Sequence, residues 1–493
     1  MVPAGPAARE SREGARLGLL GRRSRDSSRR TRGTGGVNRL RPTSSRARRA
    51  APVGAAALIA VACLGFCLTL GIGFPGRGVS AGNETVRVGL VTDRGRASLG
   101  TTGRGILYDS AGSPVTLLGP ETTFTAAPGG LVEVPGVGQL PGPLTIRAIE
   151  PDPSNPCYVT VEGHPYRGHL EVFARGGVLV VVNVVGLEDY LLGVVPREMP
   201  STFPEEALKA QAVAARTYAL YTKTAGTYAH LGYDLIPTTA CQVYGGVEAE
   251  RESTSKAVRD TAGEVLTYGG RLIGAYFHST SGGHTESVEF VWGFPSPYLK
   301  GVPDRDQESP HYTWKVSFTA EEVSSRLEQA GYGVGSVWSI EGVAPQGPGG
   351  RYFERSVTGS AGQVRLRSER LRSILGLKSA WFEVVGEAEH VENAVRPADL
   401  SGLVAMAADG TRAGLTPGTV VARGDRYLSR LETAEVFTVS PVLVPATLAF
   451  EGRGWGHGVG LSQWGARGLA LEGKTYREIL EYYYTGVTVG TLP

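Results

Sequence analysis

Three stretches of the sequence gather residue types that could do chemistry. The first is Val194–Pro200, VVPREMP, in which one carboxylate, Glu198, stands between two prolines and beside Val194, Val195 and Met199. Burial among such flanks would raise a carboxyl pKa, as a general acid at neutral pH requires, whereas a helix N-terminus close behind would lower it. A solvated turn carboxylate is the plainer alternative. The second stretch is EGRGWGHGVGLSQWGARG, residues 451–468, with glycine at every second position from 452 to 460. If extended, it would have one face of bare backbone, open to close approach by a ligand or another segment. The opposite face would carry Arg453, Trp455, His457, Val459 and Leu461, with Trp455 and His457 suited to stacking on and touching a sugar. A glycine strand packed tightly in the core is the competing reading. The third stretch, Phe277–Glu286, FHSTSGGHTE, is rich in hydroxyls and histidines. It could be a substrate loop or a solvated turn. A Ser–His nucleophile lacks the Gly-x-Ser-x-Gly turn and an evident orienting acid, and a metal site on His278, His284 and Glu286 lacks a usual ligand spacing.

The elements that must position these residues can be read in outline. From Thr85 to Leu192 short apolar segments between Gly, Pro, Asp and Asn turns predict mostly strands, with Gly177–Val185 a central strand buried on both faces. The pattern then becomes helical. Thr202 and Glu205 fit a capping box, and an Ala-rich buried helix is expected from Phe203 to about Lys223, stopping before Gly226. Glu198 would then sit in a turn just upstream of that helix. Further strands are expected over 264–279, a hairpin over Arg351–Arg367 turning at Gly359–Gly362, a short helix near Glu369–Leu375, and strands and loops over 385–445. A second capping box, Thr475 with Glu478, should open a last helix that stops before Gly486. The class is α+β: a β-rich body with one long buried helix, with a lobe inserted after residue 305 as an option.

The charge balance places this body. The chain of 493 residues has a formal net charge of +3, yet residues 1–50 hold fourteen Arg, no Lys and three acids, a local charge of +11. The rest is therefore acidic by eight charges, which argues against nucleic acid as its partner. Residues 53–74, VGAAALIAVACLGFCLTLGIGF, are uncharged and long enough to span a bilayer. The division expected is an Arg-rich disordered cytoplasmic tail (1–52), a transmembrane anchor (53–74), a linker (75–84) and an extracytoplasmic body (85–493), oriented by the positive-inside rule. A cleaved signal peptide ending near Val79-Ser80-Ala81 is the alternative, although the apolar run is longer than a usual signal core. Of the four cysteines, Cys63 and Cys67 lie in the apolar segment. Cys157 and Cys241 in the body could pair or stay as thiols.

Taken together, LEDYLLGVVPREMPSTFPEEALKAQAVAARTYAL (187–220), TTACQVYGG (238–246), AYFHSTSGGHTE (275–286), LRSILGLKS (371–379) and GRGWGHGVGLSQWGARGLA (452–470) resemble the SpoIID/LytB family, over about residues 85–493. The resemblance implies a membrane-anchored lytic transglycosylase acting on peptidoglycan glycan strands, peptide-stripped ones in particular. It would act during sporulation and engulfment beside a cell-wall amidase and other anchored proteins. It implies that Glu198 is the catalytic glutamate, without a second carboxylate. It further implies that Arg216 and Gln211 on the long helix, and His278, Ser279, Ser281, Trp455, His457 and Gln463, serve substrate binding. The family also holds amidase enhancers, so a non-catalytic glycan-binding role is the alternative; a zinc-dependent amidase would need ligands that the sequence does not assemble. Some members carry a zinc stretch like C-D-T-T-H-C-Q-V-Y. Here it reads IPTTACQVY (236–244), with Cys241 but neither the first cysteine nor the histidine, so no metal and no cofactor are expected.

Overall fold

The computed structural model describes residues 84–149, 156–397, 404–406, 412–414, 421–423, 428–430 and 437–491, with side chains described outside 386–445. The expected tail and anchor, 1–74, lie outside the described residues. Among those described, no helix is long and apolar enough to cross a membrane.

The short strands read from the N-terminal part of the body form two six-stranded antiparallel sheets. One runs in the order Thr85–Arg94, Val178–Gly186, His169–Arg175, Leu144–Ile149, Arg104–Tyr108, Pro114–Leu118; the other runs His164–Tyr166, Val159–Val161, Arg96–Thr101, Thr122–Ala127, Leu131–Val134, Gly138–Pro141. They share one apolar core, with Leu107, Ile146, Val172 and Val181 from the first sheet meeting Leu99, Phe124, Val132 and Val159 from the second. The Val178–Gly186 strand is buried on both faces, because Val180 and Val182 pack on its other side against Tyr233.

Seven helices are used below: α1 Leu187–Glu198, α2 Glu205–Ala225, α3 Glu252–Asp260, α4 Ala320–Gln329, α5 Ser368–Leu375, α6 Gln463–Leu471 and α7 Tyr476–Tyr483. α1 corrects the expectation of strand up to Leu192 and of a turn at Glu198. Leu187, Tyr190, Leu191, Val194 and Val195 are buried at the spacing of one helix face, and their burial outweighs the poor helix propensity of the valines and the cost of Pro196 in the last turn. α2 matches the expected Ala-rich helix and ends at Gly226, which takes the left-handed conformation (φ 66°). Its expected capping box does not form. Pro204 occupies the N-cap position with no side-chain bond, and Glu205 is turned instead to Lys209 and Lys256. The box at α7 does form, with Glu478 accepting from the Thr475 N–H at 2.9 Å.

α2 is the axis of the second half. Ala207, Ala210 and Ala214 bring it close to α3, α6 and α7, in a core completed by Leu266, Ile273, Leu461, Ile479 and Tyr483. Residues 313–384 and 448–452 have a core of their own around Trp314, Leu327, Val337, Leu371, Phe382 and Phe450. In it α4 and α5 cover two three-stranded sheets, one of them the expected hairpin Tyr352–Gly359/Gly362–Arg367 joined by Val337–Gln346.

Candidate active site

Glu198 is the last residue of α1 and is half-buried. Its Oε1 accepts a 2.6 Å hydrogen bond from the backbone N–H of Val243. The loop bearing Val243 is pinned on both sides. The fully buried Gln242 accepts from the Tyr190 hydroxyl of α1 at 3.2 Å and donates to the Ala215 carbonyl of α2 at 3.2 Å. Gly193 permits this approach, since a Cβ there would stand 2.7 Å from the Tyr244 ring and 2.9 Å from the Gly246 carbonyl.

Gln463, the first residue of α6, provides a side-chain hydrogen bond to Glu198. It also donates to Gln211 Oε1 on α2 at 3.3 Å, across 252 residues of sequence. Burial raises the Glu198 carboxyl above its ordinary value, and the Val243, Gln463 and Arg197 interactions offset this in part. The expectation that a helix N-terminus would oppose burial is reversed. Glu198 stands at the C-terminal end of α1, where the macrodipole also disfavours a negative charge.

The two other stretches run side by side next to this carboxyl. Phe277 and His278 pair in parallel with Leu461 and Ser462, and Trp455 exchanges backbone hydrogen bonds of 2.8 and 3.1 Å with Thr280. The Trp464 N–H donates to the Ser279 carbonyl at 3.1 Å, so Ser279 adjoins the start of α6. The glycine run is not an extended strand. Gly454, Gly456, Gly458 and Gly460 all have positive φ, from 71° to 116°. Their bare sides face Ser281, His278, the Arg351 guanidinium and Tyr276, where a Cβ would lie 2.2–2.7 Å from the nearest atom. A neighbouring chain segment, not a ligand, takes the space that the glycines leave.

The expected site residues thus fall into two layers. Ser279 and His457 are partly open and Trp455 is 44% exposed. Gln211, Arg216, His278, Ser281 and Gln463 are buried behind them. Arg216 makes a paired bond to Glu188 at the start of α1, at 2.7 and 2.6 Å, and donates to the carbonyls of Glu264 and Val258. Arg216 and Gln211, both expected to bind substrate, thus make their bonds within the protein. The two support α1 and Gln463. Ser281 donates to the buried Asp306 at 3.0 Å. His457 accepts from the Val459 N–H at 3.1 Å and packs 5.1 Å from Trp292 and 5.4 Å from His278. Burial lowers it to about 3 and takes His278 well below the usual range, so both rings are neutral contacts.

Other supports were not expected as such: Glu286 was weighed above only as a metal ligand, and Arg351 only as the start of a hairpin. Glu286 is fully buried and accepts from the N–H groups of Ser287, Gly349 and Arg351, while Arg351 donates to the carbonyls of Ser281 and His284 at 2.7 and 3.1 Å. These two residues brace the 281–286 loop. Cys157 and Cys241 are both free thiols, and among the described residues no group of three or more potential metal ligands is gathered.

Asp304 and Asp306 form a buried acid pair beneath Ser281. Asp304 accepts from the Tyr483 hydroxyl at 2.5 Å, with Ser281 and Ser462 also bonding to it, and Asp306 accepts from the Gly282 N–H at 2.7 Å. Burial, and then the charge of Asp306, push Asp304 up to about 6. Between pH 4 and 6 the unfolded chain has therefore released this proton while the folded one still holds it, so stability falls as pH rises through that window. Asp304→Asn keeps an oxygen for Tyr483 and puts a donor beside the acid. It is expected to flatten this dependence and to stabilise the protein at pH 7 by on the order of 2 kcal/mol, measured by urea denaturation across pH 4–8. An unchanged pH slope would exclude Asp304 as its source.

The fold and site define an α+β protein in which a single half-buried glutamate lies beside a glycine-rich run and a hydroxyl-rich loop. The family model described as "Stage II sporulation protein" (SpoIID) matches residues 175–268. An uncharacterised protein of Brachyspira hyodysenteriae is 32% identical over 335 residues, 67% of this chain and 73% of that one. The stage II sporulation protein D of Bacillus subtilis is 32% identical over 322 residues, 62% and 75% of the two chains. An amidase enhancer of Bacillus subtilis is 32% identical over 308 residues, 61% of this chain but 40% of that one. The chain belongs to the SpoIID family.

Proposed function

We propose that this protein is a lytic transglycosylase that cuts peptidoglycan glycan strands with Glu198 as its only acid–base group. The observation that carries the proposal is the setting of Glu198: half-buried, raised by burial, held by Val243 and Gln463, and acted on by the charge of Arg197. A hydrolase of the common kind needs a second carboxylate to place a water or to attack the sugar. One carboxyl suffices when the nucleophile belongs to the substrate. Glu198 protonates the leaving glycosidic oxygen as its bond to the anomeric carbon breaks. The C6 hydroxyl of the same sugar then bonds to that carbon, and its proton passes to Glu198. The acid is regenerated, no water is consumed, and the intramolecular attack gains from proximity. Ser279, whose carbonyl accepts from the Trp464 N–H beside Gln463, is the hydroxyl residue assigned in this reading to the sugar that bears the developing positive charge.

In this reading the protein remodels the cell wall during sporulation, the process for which one relative is named, and works beside an amidase, which another relative is named for enhancing. Residues 53–74 anchor it with the body outside the membrane. The amidase-enhancer relative favours a second reading, glycan binding without turnover. Incubation with peptide-free glycan strands separates the two: new 1,6-anhydro-muramic ends support the enzyme, and binding without new ends supports the enhancer.

The enzyme reading makes a prediction about pH. Glu198 must start protonated, so the rate falls as pH rises past its raised pKa. Gln463 favours the charged form, and Gln463→Leu is expected to move that limb to higher pH while lowering the maximal rate through loss of positioning. A limb that does not move would show that Gln463 has no electrostatic hold on Glu198.

A further inference from the structure

The segment that carries the donor to Glu198 is tied to the helix that carries Glu198. Gln242, the residue before Val243, is fully buried and bonded at both ends of its amide. Its Nε2 donates to the Ala215 carbonyl, and its Oε1 accepts from the Tyr190 hydroxyl, both at 3.2 Å. A backbone carbonyl only accepts, so Ala215 fixes which end of the amide donates, and the Tyr190 hydroxyl must then donate to the other end. Tyr190 and Ala215 belong to the apolar core that α1 shares with α2, together with Val194, Ala212 and Ala219. Tyr190 lies on α1 about two turns before Glu198. The rest of the segment is tied as well. The Gly245 N–H donates to the Gly193 carbonyl of α1 at 3.0 Å, and the Tyr244 hydroxyl donates to Asn183 at 3.0 Å. α1 thus ends in the acid and grips along its side the segment that supplies the acid's hydrogen-bond donor.

A satisfied polar pair in an apolar core costs desolvation and returns one fixed arrangement. What this arrangement fixes is the use of one oxygen. Oε1 of Glu198 accepts the Val243 N–H at 2.6 Å. In a neutral carboxyl the carbonyl oxygen is the acceptor and the hydroxyl oxygen the donor, so an N–H held on Oε1 leaves the proton to Oε2. We infer that Gln242, with Tyr190 behind it, is a positioning residue for the acid: it keeps the Val243 N–H on Oε1, so that Glu198 gives its proton and takes one back at Oε2. This rests on the acid–base reading of Glu198 above. The O–H bond at Oε2 breaks as the glycosidic oxygen takes the proton and parts from the anomeric carbon. It forms again with the proton of the C6 hydroxyl as that oxygen bonds to the same carbon. Oε1 keeps its N–H throughout, a charge-assisted bond while the carboxylate lasts. The ionisable groups around this contact are Arg197 and Tyr190 on α1 and Cys241 and Tyr244 on the segment, while α6 meets the acid with the Gln463 amide, backed by Gln211 of α2. Burial holds Tyr190, Cys241 and Tyr244 above their ordinary values, so none of the three gains charge where a carboxyl titrates, and a guanidinium stays charged.

The test follows the release of anhydro ends from peptide-free glycan strands against pH, with strand affinity and denaturant midpoint measured alongside. It compares the full-length chain with Gln242→Met, Tyr190→Phe and the double variant. Loosening the N–H from Oε1 weakens a bond that favours the carboxylate, so the alkaline limb of the rate moves to higher pH. For Gln242→Met the maximal rate should fall roughly 10- to 10²-fold, the scale of a misplaced catalytic group, at unchanged strand affinity. Tyr190→Phe removes one hydroxyl and should move limb and rate the same way, but less. The double variant should match Gln242→Met, because Tyr190 acts through Gln242. If Gln242→Met does not fold, Tyr190→Phe carries the same readouts. A loss of stability with limb and rate unmoved in the folded variants overturns the inference, since Gln242 would then only tie the helices together. A fall in affinity that accounts for the loss of rate overturns it too, as does a double variant slower than Gln242→Met. A parent that releases no ends overturns the acid–base reading and the inference together, whereas an active parent whose variants keep its limb overturns the inference alone.

Discussion

Glu198→Gln should lower the production of anhydro-muramic ends by at least about 10³-fold while the variant still binds glycan strands and folds. General acid–base groups contribute about 10²- to 10⁴-fold, and here one group serves both steps, so its loss should fall toward the upper end. Glutamine is the informative substitution because it is nearly isosteric. Its amide oxygen can keep the bond from Val243, now 2.6 Å, and its place beside Gln463. What it lacks is a proton to give and a basic oxygen to receive one. The measurement is a count of reducing and anhydro ends released from peptide-free strands, with binding read on the same preparation.

The stability of that variant carries a second expectation, of known sign. A carboxyl whose folded pKa is raised costs stability as pH rises through that value, because the unfolded chain ionises first. At pH 7 the Glu198→Gln protein should therefore be at least as stable as the parent. This is the usual relation between an acid held in place for chemistry and the fold that holds it. A variant that is inactive and less stable would point to a structural glutamate. A fully active one would remove the acid–base role and leave the enhancer reading.

The parts of this site that could be read in the sequence are those governed by local periodicity. The Ala-rich run and Gly226 are enough to define α2, and the apolar valines are enough for the Val178–Gly186 strand. α1 was legible and was obscured. The spacing of Leu187, Tyr190, Leu191, Val194 and Val195 is helical, but it continues a β-branched strand and ends on Pro196, so the strand pattern masks it. The alternation of glycines from 452 to 460 has the period of a strand, yet it comes from a backbone that turns through the left-handed region at four of them. Capping boxes depend on a reciprocal pair of bonds, which forms at Thr475 and not where Pro204 precedes the helix. What no local pattern could show is partnership at long range. Gln463 meets Gln211 and Glu198 only through the packing of α6 on α2, and Asp304, Asp306 and Arg351 have the sequence appearance of surface loops.

Arg216 shows how this distinction can be tested. Its removal as Arg216→Ala should cost about 3 kcal/mol of stability, at the lower end of the roughly 3–5 kcal/mol for breaking a buried ion pair, because Glu188 is 32% exposed and keeps some water. The guanidinium has no exposure to solvent and makes four hydrogen bonds, to both carboxylate oxygens of Glu188 and to the carbonyls of Glu264 and Val258. It therefore joins the first turn of α1 to α2, α3 and the strand Glu264–Tyr268. Arg216→Lys cannot reproduce the fork and should recover only part of the loss. The consequence for catalysis follows from the helix. The residue it clamps begins α1, and the residue that reacts ends it, so a loosened start lets Glu198 move away from Val243 and Gln463. The turnover rate should fall with stability while the affinity for strands changes little. Direct contact with substrate predicts the reverse, a loss of affinity at unchanged stability. Denaturant midpoints and strand binding, measured on the parent and on both Arg216 variants, therefore decide whether this arginine acts on the sugar or on the helix that carries the acid.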